Sequence, residues 1–296
     1  MKCIYIFNPK SGNKQHNQKK DYIIKQLLTC YEIVDVRPTE KIGDAEKFAR
    51  EACGIYDSII VAGGDGTLNE VINGISPMEN RPRIGYIPAG TTNDVASSLK
   101  IPKNVKKALK IIIKGNTRQC NIFKVNEKYG LYVCAFGLFT ASSYTTEQKK
   151  KNAFGKLAYV FSGIKELGTT KKFPFHIISD KLEIKTDIIL GIFANGRYVS
   201  GFKINNSNFN NDNVCLVVFV EKNKKSVSLK SLFTIFKLFL FGATSIEKVK
   251  NCVVIPINKC RIELEENTPV NIDGEKGLEG SFNFEVIKNH IEIFIK

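Results

Sequence analysis

The pattern of apolar and polar positions in the first 118 residues switches repeatedly between two periods. Strand-like runs rich in apolar and β-branched residues occupy residues 3–7, 31–36, 58–62 and 83–87. Between these runs the apolar side chains recur every three or four positions, which predicts amphipathic helices over residues 23–28, 43–53, 68–75, 95–99 and 105–113. Strands that alternate with helices indicate βαβ units, so this part is predicted to be an α/β domain with a mainly parallel sheet.

After Arg118 the pattern changes to strands that follow one another. Short β-rich segments separated by turns lie at residues 131–136, 173–178, 188–193, 214–220, 252–257, 261–264 and 290–295. Runs of strands after βα units predict a second, largely antiparallel all-β domain. We place the boundary near Cys120, which gives domains of residues 1–120 and 121–296. Two basic amphipathic helices, at 147–167 and 224–243, are predicted to interrupt the second domain, and the latter either packs over it or lies on a membrane surface.

Residues 58–75 combine a buried strand, a glycine-rich turn and a helix. Gly63, Gly64 and Gly66 allow the backbone to approach a ligand without a Cβ in the way. The helix begins with free N–H groups and a positive dipole end, which favour an anion. Asp65 would repel a bare phosphate unless a divalent cation lies between them. The segment therefore predicts a Mg²⁺-nucleotide site, with an ordinary turn carrying a surface Asp65 as the alternative.

Polar turns follow four of the predicted parallel strands, at Asn8, Thr39, Gly63 and Gly90. In open α/β sheets ligands bind outside the carboxyl ends of the strands, where these turns meet. The sequence therefore predicts that all four turns gather along one edge of the sheet.

The net charge of +15, from 44 basic and 29 acidic residues, indicates an anionic partner or a lysine-rich proteome. No zinc finger, helix-turn-helix or aromatic RNA-binding motif occurs, so we expect an anionic membrane surface rather than nucleic acid. The apolar stretches lack the length of a transmembrane span, and no signal peptide is evident. Eight scattered cysteines without a CxxC pair fit reduced thiols. We expect a cytoplasmic protein at the inner membrane face.

Four motifs, in order and at compatible spacings, carry a family resemblance. They are NPKSG at 8–12, GGDGTLNE at 63–70, IPAGTTND at 87–94 and NIDGE at 271–275. Together they resemble the diacylglycerol kinase catalytic-domain family, which includes bacterial lipid kinases related to sphingosine and phosphatidylglycerol kinases. The resemblance implies a phosphofructokinase- and NAD kinase-like α/β domain, a C-terminal β-sandwich domain whose last segment can pack back on the first, and ATP in the cleft.

The resemblance also implies residue roles. Nucleotide contacts are expected from Asn8, Thr39, Gly63, Gly64, Asp65, Gly66, Thr67, Leu68, Asn69 and Thr91, with Asp94 near the metal network. Asp65 is expected to act through the metal, and Glu275 to be the catalytic base. A structural Mg²⁺ site is implied at Phe209, Asp212 and Val214, where Asp212 supplies the carboxylate and the other two supply main-chain carbonyls.

The leading hypothesis is an ATP- and Mg²⁺-dependent kinase that phosphorylates a lipid hydroxyl, diacylglycerol or a related lipid. Two departures from the family pattern, Asn121 in place of the usual Asp and Gly201-Phe202, favour a catalytically weak nucleotide- or lipid-binding regulator as the alternative. An NAD kinase is a further alternative, and Glu275 could also be a solvated charge after an Asp273-Gly274 hairpin turn. An exposed strand edge offers a surface for a homodimer.

Overall fold

The structure, a computed structural model, describes residues 1–12, 19–137, 172–199, 201–204, 209, 214–220, 235, 237–238, 241 and 252–296. The chain divides into two compact units. The first comprises Met1–Ile122, Tyr129–Leu131 and Ile287–Lys296, and the second comprises Phe123–Lys128 and Tyr132–Val286. That residues 1–120 and 121–296 fold as separate domains stays a prediction. The helix predicted over 147–167 lies outside the described residues.

The first unit contains a parallel sheet. Its strands are β1 (Lys2–Phe7), β2 (Ile33–Pro38), β3 (Ser58–Gly63), β4 (Arg83–Pro88) and the C-terminal part of β17 (Phe282–Phe294). They pair in the order β2-β1-β3-β4-β17, all in parallel. Every residue of β3 is buried, as expected for a strand covered on both faces. The remaining strands that follow the helices are β5 (Thr117–Val125) and β6 (Lys128–Gly130).

Five helices flank this sheet. They are α1 (Lys20–Leu27), α2 (Asp44–Ala52), α3 (Asp65–Ile75), α4 (Asp94–Leu99) and α5 (Val105–Lys114). The apolar residues of α1 and α5 share one core with one face of β1, as in Ile23, Leu109 and Tyr5. Helices α2 and α3 pack on each other and against β1 and β3. The predicted helices are confirmed, and their ends differ from the predicted ones by at most three residues.

The second unit is built from antiparallel strands. They are β7 (Val133–Gly137), β8 (Phe173–Ile178), β9 (Glu183–Ala194), β10 (Tyr198–Val199), β11 (Phe202–Lys203), β12 (Val214–Val220), β13 (Cys252–Ile257), β14 (Lys259–Glu263), β15 (Pro269–Ile272) and β16 (Glu275–Glu279). The main order is β16-β15-β7-β9-β8-β14-β17, and β12 pairs with β9 and β13. Its core contains stacked phenylalanines, with the rings of Phe193 and Phe284 only 3.9 Å apart. The predicted class, α/β plus all-β, is confirmed.

Of the predicted helix at 224–243, the structure describes only a few residues, and these are helical. Ile235 and Leu238 are buried, whereas Phe241 is 67% exposed. Burial of the two aliphatic side chains favours the interpretation of a helix that packs on protein. Among the described residues, no helix combines the length and the apolar character needed to cross a bilayer.

His176 links three strands of the second unit. Its Nε2 lies 2.8 Å from Oε1 of Glu183 on β9, and its Nδ1 lies 3.1 Å from Oε2 of Glu263 on β14. Both neighbours are acceptors, so the doubly protonated imidazolium satisfies both contacts. The bond to Glu183, followed by that to Glu263, raises the pKa of His176 above its usual value. These contacts give His176 a structural role between strands β8, β9 and β14.

We predict a pH-dependent stability that His176→Gln removes. Because the folded pKa is raised, the stabilising contribution of His176 is present below its unfolded pKa of about 6.5 and is lost as the pH rises through the folded value. Chemical denaturation at pH 6 and pH 9 should show a wild-type advantage over the variant at pH 6 that decreases at pH 9. An advantage that grows with pH would contradict the assignment.

We predict that Gly74→Ala destabilises the protein although alanine is the better helix former. A Cβ at this position of α3 would lie 2.3 Å from the backbone oxygen of Glu46 and 3.0 Å from Cβ of Ala49, both on α2. Forcing the helices apart should lower the unfolding free energy by about 1–3 kcal/mol, whereas helix propensity alone would raise it by about 1 kcal/mol. Urea denaturation distinguishes the two effects by the sign of the change in unfolding free energy. The control is Glu51→Ala, at an exposed position of α2.

Candidate active site

The turns after β1, β2, β3 and β4 begin at one level along the sheet edge. The strands are in register, so that Phe7 lies opposite Pro38 and Ala62, and Gly63 lies opposite Pro88. The turns are then tied to neighbouring strands by their first N–H groups. Asn8 N donates to Ala62 O at 3.0 Å, Thr39 N to Phe7 O at 2.9 Å, and Ala89 N to Gly63 O at 2.7 Å. The structure therefore confirms that the four polar turns lie along one edge of the sheet.

Glycines allow three of these turns to touch through their backbones. A Cβ on Gly90 would lie 2.6 Å from Cα of Gly64, and a Cβ on Gly12 would lie 2.0 Å from the carbonyl oxygen of Ala89. Gly12 also has a φ of +52°, in the left-handed region that favours glycine. A side chain at either position would push the turns apart, so these glycines allow the turns to pack against each other.

Asp65 is the first residue of α3, and its carboxylate is directed at the start of α4. Oδ2 accepts a hydrogen bond from the N–H of Asp94 at 2.9 Å, and Oδ1 accepts one from the N–H of Val95 at 3.3 Å. Helix α4 has no side-chain cap from its own N-cap residue, Asn93. Asp65 therefore supplies the acceptor that a helix N-terminus needs, from a different turn. Burial raises the pKa of the Asp65 carboxyl, and the N–H donors oppose that rise.

Asn93 and Tyr86 fix the turn that carries Gly90, and sequence reasoning missed both. Asn93 is buried at φ +55°, donates from Nδ2 to Gly90 O at 2.7 Å and accepts from Gly90 N at 2.8 Å. The hydroxyl of buried Tyr86 lies 3.3 Å from Asn93 Oδ1 and 3.3 Å from Gly63 O. The signal was present, because asparagine tolerates left-handed backbone better than most residues.

Glu70 was also missed, although it belongs to the GGDGTLNE motif. Its Oε2 accepts a hydrogen bond from the N–H of Ala45 at 3.1 Å in the first turn of α2. Asp44, the first residue of that helix, accepts from the N–H groups of Glu40 and Lys41 at 2.8 and 2.9 Å. These contacts hold the turn that contains Thr39. Burial raises the pKa of Glu70, and backbone N–H donors lower it in part.

The other predicted nucleotide contacts of the first unit differ in their surroundings. Thr67, Leu68 and Asp94 are buried, whereas Thr91 is exposed and its carbonyl accepts from Lys103 Nζ at 3.3 Å. The side chain of Asn69 faces other groups of α3 and β6: it donates to the carbonyl of Tyr129 at 3.3 Å and accepts from Asn73. The nucleotide role of each residue stays a prediction.

In the second unit, Asp273 and Gly274 form the tight turn between β15 and β16. Both have left-handed φ values, +51° and +88°, as two-residue hairpin turns require. The Asp273 carboxylate is buried and accepts from the N–H groups of Tyr132 at 2.8 Å and Val133 at 3.0 Å. Glu275 begins β16 with an exposed side chain. The hairpin is thus rigidly anchored at its tip, and Glu275 is presented to solvent.

The implied structural Mg²⁺ site is described only at its flanks. Phe209 is buried with φ +64°, an uncommon conformation for a bulky residue, and Val214 begins β12, while Asp212 lies outside the described residues. Within the described ranges, no three His, Cys, Asp or Glu side chains group closely enough to hold a metal ion. The role of Phe209, Asp212 and Val214 in metal binding stays a prediction.

The two departures from the family pattern have defined structural places. Asn121 is buried, and its Oδ1 accepts from the N–H of Asn289 at 2.8 Å. Asn289 has φ +50°, so Asn121 stabilises a left-handed residue within strand β17, in the part that belongs to the first unit. Gly201 has φ +78° and connects the short strands β10 and β11, of which Phe202 begins the second.

Known proteins that are similar to this chain are described as diacylglycerol kinases. A diacylglycerol kinase catalytic-domain profile matches residues 2–125. The chain is 35% identical over 294 residues, 98% of this chain and 90% of the relative, to proteins named diacylglycerol kinase from Staphylococcus aureus strain MRSA252 and Staphylococcus epidermidis strain ATCC 12228. A crystal structure of a Bacillus anthracis str. Sterne protein, described as a proposed diacylglycerol kinase, is 28% identical with a TM-score of 0.84, covering 100% of this chain and 95% of that one.

We predict that Asp65→Ala lowers the unfolding free energy by about 1–3 kcal/mol, because it leaves the N–H groups of Asp94 and Val95 without their acceptor. Denaturation without added metal or nucleotide measures this effect. Asp21→Ala, at an exposed position of α1, is the control and should change stability by less than about 0.5 kcal/mol. Unchanged stability of the Asp65 variant would mean that its carboxylate does not hold the two turns together.

Proposed function

The chain belongs to the diacylglycerol kinase family and is a lipid kinase, and from this premise we propose that it transfers the γ-phosphate of Mg²⁺-bound ATP to the hydroxyl of diacylglycerol or a related lipid. The relatives named diacylglycerol kinase, matched over 98% of the chain, support diacylglycerol as the acceptor. They also disfavour the NAD kinase alternative.

The observation that carries the nucleotide part of the proposal is the start of α3. Its first residues, Asp65 and Gly66, are partly exposed, and the first N–H groups of a helix have no partner within the helix. Gly64 and Gly66 are partly exposed and carry no side chains, so a phosphate can approach the backbone closely. This arrangement fits the triphosphate of ATP, with Asn8, Thr39 and Thr91 contacting it from the neighbouring turns.

The donor set also fits a divalent cation. Asp65 and Asp94 place two carboxylates in the turns that start α3 and α4, and hard oxygen ligands of this kind suit Mg²⁺. When bound, the cation would neutralise the phosphate charge that otherwise repels these acids. At the second site, Asp212 and the carbonyls of Phe209 and Val214 would hold Mg²⁺ in a structural role.

Glu275 is proposed as the base that accepts the proton of the lipid hydroxyl. Its side chain is exposed at the beginning of β16, next to a hairpin tip fixed by the buried carboxylate of Asp273. A solvent-accessible carboxylate on a rigid support can be held within hydrogen-bonding distance of a substrate, which general base catalysis requires.

The remaining parts of the proposal concern place and assembly. The net charge of +15 supports peripheral attachment to the anionic inner face of the membrane, and eight free cysteines support a reducing cytoplasm. Residues 1–120 and 121–296 are proposed as separately folding domains, and a homodimer as the assembly.

A catalytically weak regulator remains the second candidate because of Asn121. Its contact with the N–H of Asn289 needs only an acceptor oxygen, which aspartate would supply equally well. Thermal denaturation of Asn121→Asp will show whether this buried position accepts a carboxylate. If the loss of a carboxylate limits turnover, this variant will phosphorylate lipid faster than the wild type, and if not, the two rates will agree.

We predict that wild-type protein transfers radiolabelled phosphate from ATP to diacylglycerol in neutral detergent micelles containing Mg²⁺. Glu275→Ala should reduce the rate by about 100-fold or more, the range expected for loss of a general base. Glu279→Ala is the matched control, because Glu279 is an exposed glutamate of the same strand that pairs with Lys276 at the surface. It should retain wild-type activity.

Two results would contradict this proposal in different ways. ATP binding without any labelled lipid in the wild type would favour the regulator. Equal labelling by wild type and Glu275→Ala would exclude Glu275 as the base while leaving the kinase reaction intact.

A further inference from the structure

Every exposed position of helix α5 is a lysine. The helix buries Val105, Ala108, Leu109, Ile111 and Ile112, and Ile113 is partly covered. The four exposed positions are Lys106, Lys107, Lys110 and Lys114, which we name the α5 lysine face. The helix contains no acidic residue, so its solvent side carries only positive charge.

This charge arrangement is unfavourable for the helix itself. Lys106, Lys110 and Lys114 follow one another at spacings of four, where like charges repel. Lys106 and Lys107 also lie in the first turn, at the positive end of the helix dipole. Within the part of the chain that the structure describes, no carboxylate forms an ion pair with any of the four lysines.

Helix α2 of the same unit shows how a lysine-bearing surface helix is balanced when it only faces water. Arg50 pairs with Glu46 at 2.7 Å, and Lys47 with Glu51 at 3.9 Å, each pair four residues apart. The α5 lysine face lacks such pairs. A purely solvating role would not require this one-sided composition, whereas an anionic partner would neutralise it.

The surroundings of the α5 lysine face favour lipid. Tyr22 on the neighbouring helix α1 is 36% exposed, and Nζ of Lys106 lies 5.5 Å from the centre of its ring. Tyrosine with lysine is typical of membrane–water interfaces. The face contains no arginine, the residue most used for base recognition in nucleic acid. Lys103, just before the helix, donates to the carbonyl of Thr91, so the face begins beside the turn that follows β4.

We propose that the α5 lysine face is a docking surface for an anionic phospholipid bilayer. The inference rests on the proposed function only in that a lipid kinase must meet its substrate at a membrane. The inference assigns the membrane contact to particular lysines, whereas the net charge of +15 does not say which residues meet the membrane. Docking there places the edge of the sheet that carries the Thr91 turn close to the lipid surface.

The test is sedimentation with vesicles made of equal parts phosphatidylglycerol and phosphatidylcholine, compared with pure phosphatidylcholine. The variant is Lys106→Gln/Lys110→Gln/Lys114→Gln, since glutamine keeps helix propensity while removing three charges. The control, Lys2→Gln/Lys181→Gln/Lys185→Gln, removes three charges at exposed positions elsewhere. The α5 variant should bind the anionic vesicles about 100-fold more weakly than wild type, and the control should stay near wild type.

The outcomes separate the docking surface from the enzyme activity. Transfer of phosphate to diacylglycerol in neutral micelles should be equal in the wild type and the α5 variant. Absence of transfer in both would refute the kinase proposal, while the vesicle result would still decide the docking. Equal weakening in both triple variants, or no vesicle binding by the wild type, would overturn the docking surface. The docking surface would also be overturned if the wild type bound duplex DNA more tightly than vesicles, and if the α5 variant lost this DNA binding while the control variant kept it.

Discussion

The contact between the Asp65 carboxylate and the first N–H groups of α4 is the constraint on which the candidate site depends. Asp65 begins α3, and its two oxygens bind Asp94 N and Val95 N, so one side chain fixes the starting points of two helices. The close approach of Gly64 and Gly90 brings the two turns near enough for this contact. A carboxylate at a helix N-terminus forms charge-assisted hydrogen bonds, which partly compensate for its burial.

The same arrangement recurs at other acids in the motifs. Glu70 accepts from Ala45 N at the start of α2, and Asp273 accepts from Tyr132 N and Val133 N beside the hairpin that carries Glu275. In each case the carboxylate of one acid joins two segments that are distant in sequence, and the acid is partly buried at Asp65 and Glu70 and fully buried at Asp273. We infer that these acids position the turns and the hairpin from which the exposed Glu275 begins β16.

Local patterns predicted most of the fold, because buried parallel strands and amphipathic helices have distinct periods. The four turns at the sheet edge could be predicted since they follow those strands. The strand predicted over 188–193 begins five residues earlier, at Glu183, and the alternation of exposed Glu183, Lys185 and Asp187 with the less exposed Ile184 and Thr186 was the signal of a half-exposed strand. The direction of the Asp65 carboxylate could not be predicted, because it depends on the packing of a turn 25 residues later along the chain.

The account is tested most directly by the affinity of Asp65→Asn for ATP, measured calorimetrically with and without Mg²⁺. If Asp65 mainly holds the turns in place, the variant will bind ATP more weakly than the wild type by a similar factor in both conditions. If Asp65 acts only through the cation, removing its negative charge will leave metal-free ATP binding unchanged or strengthen it, and only the Mg²⁺-dependent affinity will fall. That second result would contradict the positioning role.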